Sequence, residues 1–120
     1  PSRSVGGYIV VSPGELYAHY WNEFYLHEFG WVPVDLTLGA GVKVGSMEFN
    51  GDPAEYYFGN IDNRHLALSK GTVSTGRIDP QGRTIRRSDL GTLQLHHEEA
   101  VGNLVSYSVR WNGLSIVGMY

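Results

Sequence analysis

The stretch from His19 to Asp35, HYWNEFYLHEFGWVPVD, limits what this chain can fold into more than any other. From His19 to Leu26 it is rich in aromatic residues, and Trp31-Val32-Pro33-Val34-Asp35 is apolar again, so both runs read as β-strands. Between them His27-Glu28-Phe29-Gly30 reads as a tight turn, with Gly30 free to take positive φ. Alternate residues of a strand share a face. His19, Trp21, Glu23 and Tyr25 therefore point one way, and Tyr20, Asn22, Phe24 and Leu26 the other. If the hairpin pairs odd-numbered residues with odd, Asp35 lies on the His19 face, opposite it or one diagonal away. Such neighbours sit about 5–8 Å apart at Cβ, within hydrogen-bonding reach of their side chains. A register shifted by one residue would put them on opposite faces.

That pairing has a chemistry. Histidine can take and return a proton near neutral pH, and a carboxylate that accepts its second ring N–H fixes the tautomer and stabilises the imidazolium. A nucleophile would complete the set, yet the 120 residues contain no cysteine. The same absence leaves the redox compartment undetermined.

The length fits one domain with a single core. Twelve acidic against nine basic residues give a net charge of −3 with no basic block, so a nucleic-acid partner is not expected. No apolar run approaches the roughly eighteen residues of a membrane span, and no signal peptide is visible, so no membrane partner is expected.

Elsewhere the chain also reads as β. Pro1–Val11 ends in a β-branched run, read as a strand entered after Gly6-Gly7, and Ser12-Pro13-Gly14 turns the chain. After Asp35, LTLGAGVKVGS reads as a loop, and it is a poor phosphate loop because no Lys-Ser/Thr follows its glycines. Asp52 can cap a single helical turn with Pro53 in first position, ended by Gly59-Asn60. His65–Val73 reads as a strand, and Ser74–Ser88 as an exposed loop or hairpin tip with its four arginines in solvent. Alternation over Leu93–Glu99, Leu104–Trp111 and Leu114–Met119, with turns at Gly102-Asn103 and Asn112-Gly113, predicts C-terminal strands within 90–120. The fold class is mainly antiparallel β with little helix.

His96-His97-Glu98-Glu99 invites a metal reading, but adjacent strand residues face opposite ways. His97 and Glu99 alone make two ligands, and a solvated rim of the sheet is the preferred reading. No metal and no cofactor are expected. Trp21 and Trp31 read first as core, and Glu23 as a satisfied polar residue.

The residues His19, Trp21, Glu23 and Tyr25, then Gly30, Trp31, Pro33 and Asp35, follow the pattern His-x-Trp-x-Glu-x-Tyr, turn, Gly-Trp-x-Pro-x-Asp, which resembles the transglutaminase-like superfamily. Arg3-Ser4-Val5-Gly6-Gly7-Tyr8 is similar to that family's Arg-x-Val-x-Gly-Tyr strand, and Tyr56-Tyr57-Phe58-Gly59-Asn60 with Asp62 to a segment of its bacterial members. The resemblance covers a core motif of residues 1–70.

It implies the β-sheet half of an α+β cysteine-proteinase fold with a Cys-His-Asp triad. His19 would be the general acid and base, Asp35 would orient it, and Trp21 would line or shield the site. In the family the nucleophilic cysteine stands on a helix before the strand with which this chain opens. The expectation is therefore a single, incomplete domain over 1–120. It would be inactive alone and part of a protease or amidase acting on a protein or peptide. The alternative is a non-catalytic β module that binds a protein or peptide, and a nucleophile from a partner chain ranks last.

Strand faces that would pack on the missing helices carry aromatics, whose exposure favours self-association or pairing with the helical half. Light scattering over a tenfold concentration range should show a dimer or larger assembly of the isolated chain, and a monomer throughout would exclude it.

Overall fold

A computed structural model describes residues 1–71, 76–88, 96–108 and 114–118. Four strands make the principal sheet: β1 (Ser2–Ser12), β2 (Glu15–Leu26), β3 (Gly30–Val34) and β4 (His65–Lys70), in spatial order β3-β2-β1-β4 and antiparallel throughout. A second, two-stranded antiparallel sheet pairs β5 (Arg83–Ser88) with β6 (His96–Ala100). Among the described residues helix is confined to two four-residue turns, α1 (Leu36–Gly39) and α2 (Pro53–Tyr56). The fold is mainly antiparallel β with little helix, and no helix among the described residues is long and apolar enough to cross a membrane.

Register in the hairpin follows the odd-with-odd pairing. Glu23 faces Pro33 and Tyr25 faces Trp31, with Gly30 at φ 79° closing the turn. Continuing that ladder by one pair sets Asp35 beside Trp21 and one diagonal from His19. On the next strand Val5 faces Trp21 and Gly7 faces His19. The odd face is thus the buried one along its centre, where Val5, Ile9, His19, Trp21 and Glu23 are covered, while Tyr20 and Leu26 on the even face stay exposed.

The segment after β3 folds over this face. Asp35 Oδ1 accepts from the backbone N–H groups of Thr37 and Leu38, both at 3.0 Å, and so caps α1. Asp52 caps α2 in the same way, with Pro53 in its first turn. Leu38, Met47 and Tyr57 then bury against Ile9, flanked by Val11, Val44, Phe49 and Tyr56. Two backbone bonds stitch the returning chain to β3, Asp35 N–H to Tyr57 O at 3.0 Å and Gly59 N–H to Pro33 O at 2.9 Å.

Several expectations are corrected. LTLGAGVKVGS is not all loop, because the Asp35 carboxylate nucleates α1 in its first residues. Strand β1 starts at Ser2 rather than after Gly6-Gly7, since both glycines are paired on either side. Strand β4 ends at Lys70, before Gly71, and the rest of the expected strand, Thr72 and Val73, lies outside the described residues. Arg83–Ser88 is a strand because His96–Ala100 supplies its ladder. Leu104–Ser108 and Leu114–Gly118 are not strands. They join neither sheet, and Val105 and Val117 are almost fully exposed. The expected turn at Asn112-Gly113 and the start of the strand at Leu93–Glu99 lie outside the described residues. Trp31 is a surface residue carrying the Arg3 guanidinium 4.0 Å above its ring, not core.

One close approach shapes the sheet. A Cβ at Gly7 would stand 1.9 Å from the Leu66 carbonyl oxygen, beside the register shift where β1 meets β4. Only backbone occupies that space, so any side chain must push β4 away. Gly7→Ala should therefore lower stability by about 3 kcal/mol in urea denaturation, whereas Gly14→Ala, with nothing within 4 Å of its Cβ position, should cost far less.

Candidate functional site

His19 enters the site from the middle of β2, and Asp35 from the junction of β3 with α1. The twist of the hairpin brings His19 Nε2 to 2.5 Å from Asp35 Oδ2. Asp35 is fully covered, and the His19 side chain keeps 9% of its surface exposed. Asp35 Oδ1 is held by the α1 backbone, so the carboxylate cannot swing. With Nε2 turned to Asp35, Nδ1 is the His19 nitrogen left to exchange a proton with another group.

Trp21, the next residue on that face, is buried. Its ring lies stacked 6.3 Å from His19 and edge-on 5.1 Å from His65, centroid to centroid. Its Nε1 has no hydrogen-bond partner among the described residues.

His65 is the residue that reasoning from sequence missed. It opens β4 next to Ile9 and sends Nε2 to Asp35 Oδ2 at 3.1 Å and Nδ1 to Asp62 Oδ1 at 2.9 Å. Asp62 is fixed in turn by the Tyr57 hydroxyl, which donates to Oδ2 at 3.0 Å, and by the Arg64 N–H at 3.1 Å. The result is one buried chain of hydrogen bonds, Tyr57–Asp62–His65–Asp35–His19. The available signal was the spacing Asp62-x-x-His65 at the start of a strand, which matters only once β4 is known to lie beside β1.

Charge in this network follows from its partners. Both His65 nitrogens face carboxylate oxygens, an arrangement that favours the imidazolium. Burial opposes that charge, but hydrogen bonds to Asp35 and Asp62 outweigh it and raise the His65 pKa. Burial likewise opposes ionisation of Asp35. The two imidazoles and the Leu38 N–H win, holding its carboxyl far below the usual range. Burial, with the Asp62 charge, raises the Tyr57 phenol.

Glu23, on the same face, is held by Arg3 Nε at 2.7 Å and Lys70 Nζ at 3.0 Å, an ion network across three strands that engages both of its oxygens. On the second sheet His97 Nε2 meets Glu99 at 2.9 Å, sharing a face as alternation required. This pair is covered rather than a solvated rim, because Glu99 also accepts the Ile78 and Asp79 N–H groups.

Residues 1–36 match the family model of the transglutaminase-like superfamily. The match takes in β1, β2 and β3 with both His19 and Asp35, and stops before Asp62 and His65. No curated protein and no solved structure matches the chain.

The raised His65 pKa fixes a sign. Its pairing contributes stability fully below the ordinary histidine value of about 6.5, and that contribution is lost as pH rises through the higher folded-state value. Urea midpoints should therefore fall as pH rises above that ordinary value. His65→Gln should flatten that slope while lowering stability at pH 6.

Proposed function

We propose that this chain supplies the acid–base half of a cysteine-dependent acyl-transfer site, whose thiol lies outside the 120 residues. The observation that supports the reading is the buried His19–Asp35 pair on a hairpin matching the transglutaminase-like superfamily. His19 Nδ1 takes the proton of the incoming thiol, and the thiolate attacks the carbonyl carbon of an amide or thioester in a protein or peptide. The imidazolium so formed is stabilised by Asp35 and returns its proton to the leaving amine or thiol. An acyl-enzyme remains. Water, deprotonated by the same ring, then releases the acid, which makes the enzyme a protease or amidase. Trp21 shields the pair from water on its inner side, so the proton moves between His19 and the reactants rather than to solvent.

His65 adds a second hold on Asp35, so that the carboxylate is fixed by His65, Thr37 and Leu38 before His19 is counted. The alternative, a β module that binds a protein or peptide without catalysis, is favoured by one observation, the absence of cysteine from the chain. Pairing of the isolated chain with itself or with a helical partner belongs to both readings. The exposed Phe29, Leu36 and Phe58 are surfaces it could cover.

The test is peptide-amide hydrolysis by the polypeptide or complex that joins these residues to a thiol. Alkylation should abolish turnover, and His19→Gln should lower kcat by about 10²–10⁴-fold. An unchanged kcat in His19→Gln would remove His19 from the chemistry and leave the binding module standing.

A further inference from the structure

His19 Nε2, Asp35 Oδ2 and His65 Nε2 all lie within 4.8 Å of one another. We propose that these three atoms form an inhibitory binding site for a divalent transition ion of the zinc type, which takes the acid–base pair out of service. The inference deepens the reading of the same site and adds a regulator to it.

Four features of the structure carry it. The donor set is two imidazoles and one carboxylate, which suits zinc with a fourth position open. Donors about 2.0–2.1 Å from a tetrahedral ion stand about 3.3 Å apart. The present separations from Asp35 Oδ2, 2.5 Å to His19 and 3.1 Å to His65, need only small shifts to reach that spacing. The outer partners are already in place, with Asp62 on His65 Nδ1 and two backbone N–H groups on Asp35 Oδ1, the arrangement that orients metal ligands. Finally, Asp35 and Asp62 bring two negative charges into a covered site. The His65 imidazolium balances one of them, whereas a divalent ion can balance both. The partly exposed side of His19 is the route of entry.

The proton balance explains the inhibition. On binding, the His65 imidazolium gives up its Nε2 proton to solvent and keeps Nδ1–H on Asp62. Neutral His19 binds through Nε2, so its proton must move to Nδ1. That nitrogen is the one left to take a proton from a thiol, and in the bound state it is no longer a base. Metal binding and proton transfer are thus mutually exclusive at one ring.

The experiment is calorimetric titration of the 120-residue chain with zinc chloride in a non-chelating buffer, joined to NMR of the histidine ring nitrogens. One ion per chain should bind, with coordination shifts at Nε2 of His19 and His65. His65→Gln should weaken binding at least about 100-fold, and Asp62→Asn about 10–100-fold, as an outer partner does. His97→Gln should leave it unchanged. Circular dichroism identifies any variant that fails to fold, and the NMR shifts of the unaltered chain then decide alone. No saturable binding below about 100 µM, or shifts confined to other histidines, would overturn the proposal. Equal affinity in a folded His65→Gln would overturn it too. Every readout is taken without thiol or substrate, so a negative result leaves the acyl-transfer reading untouched, and loss of that reading leaves metal binding to be judged by itself.

Discussion

The Asp35 carboxylate is the group on which the rest of this structure depends. One oxygen caps α1 and so starts the segment that covers the sheet; the other receives two imidazoles from different strands. A buried carboxylate is costly unless its lone pairs are filled, and here four donors fill them. The local fold and the candidate chemistry therefore share one side chain. Moving it would release α1, and with α1 the contact of Leu38 against Ile9.

The sheet supplies what that carboxylate needs. Because β2 is the neighbour of both β3 and β1, its odd face is flanked on both sides, and His19 and Trp21 are placed by ladders rather than by loops. Glu23, Arg3 and Lys70 tie β2, β1 and β4 together at the far end of the same face. Burial holds the Glu23 carboxyl back, but its two cationic partners outweigh that and lower its pKa. Strand pairing and these ion pairs together fix where the residues of this face stand.

Legibility of the site in the sequence divides by distance along the chain. His19 and Asp35 could be paired because a short turn with one glycine joins two alternating runs, and parity then decides the face. Asp52-Pro53 was legible as a cap for the same local reason. Asp35 as a cap was not, because a residue ending a strand gives no sign that it also starts a helix. His65 was hidden by the long connection before β4 and by the register shift at Gly6 and Gly7, which no pattern in the residues announces. At the C-terminal end, alternation over Leu104–Ser108 suggested a strand, but alternation provides a face and not a partner. Arg83–Ser88 went the other way: its polar composition hid a strand that pairing with His96–Ala100 creates.

The separations within the buried network have a consequence for how it assembles. His19 and Asp35 are 16 residues apart, Asp35 and His65 are 30 apart, and Glu23 and Lys70 are 47 apart. Closing a loop costs more entropy as it lengthens, and contacts distant in sequence slow folding. The hairpin pair is therefore the least expensive part of the site to form. The hold exerted by β4 is the most expensive, so opening of β4 alone would leave a histidine and an aspartate still joined, with their second imidazole withdrawn.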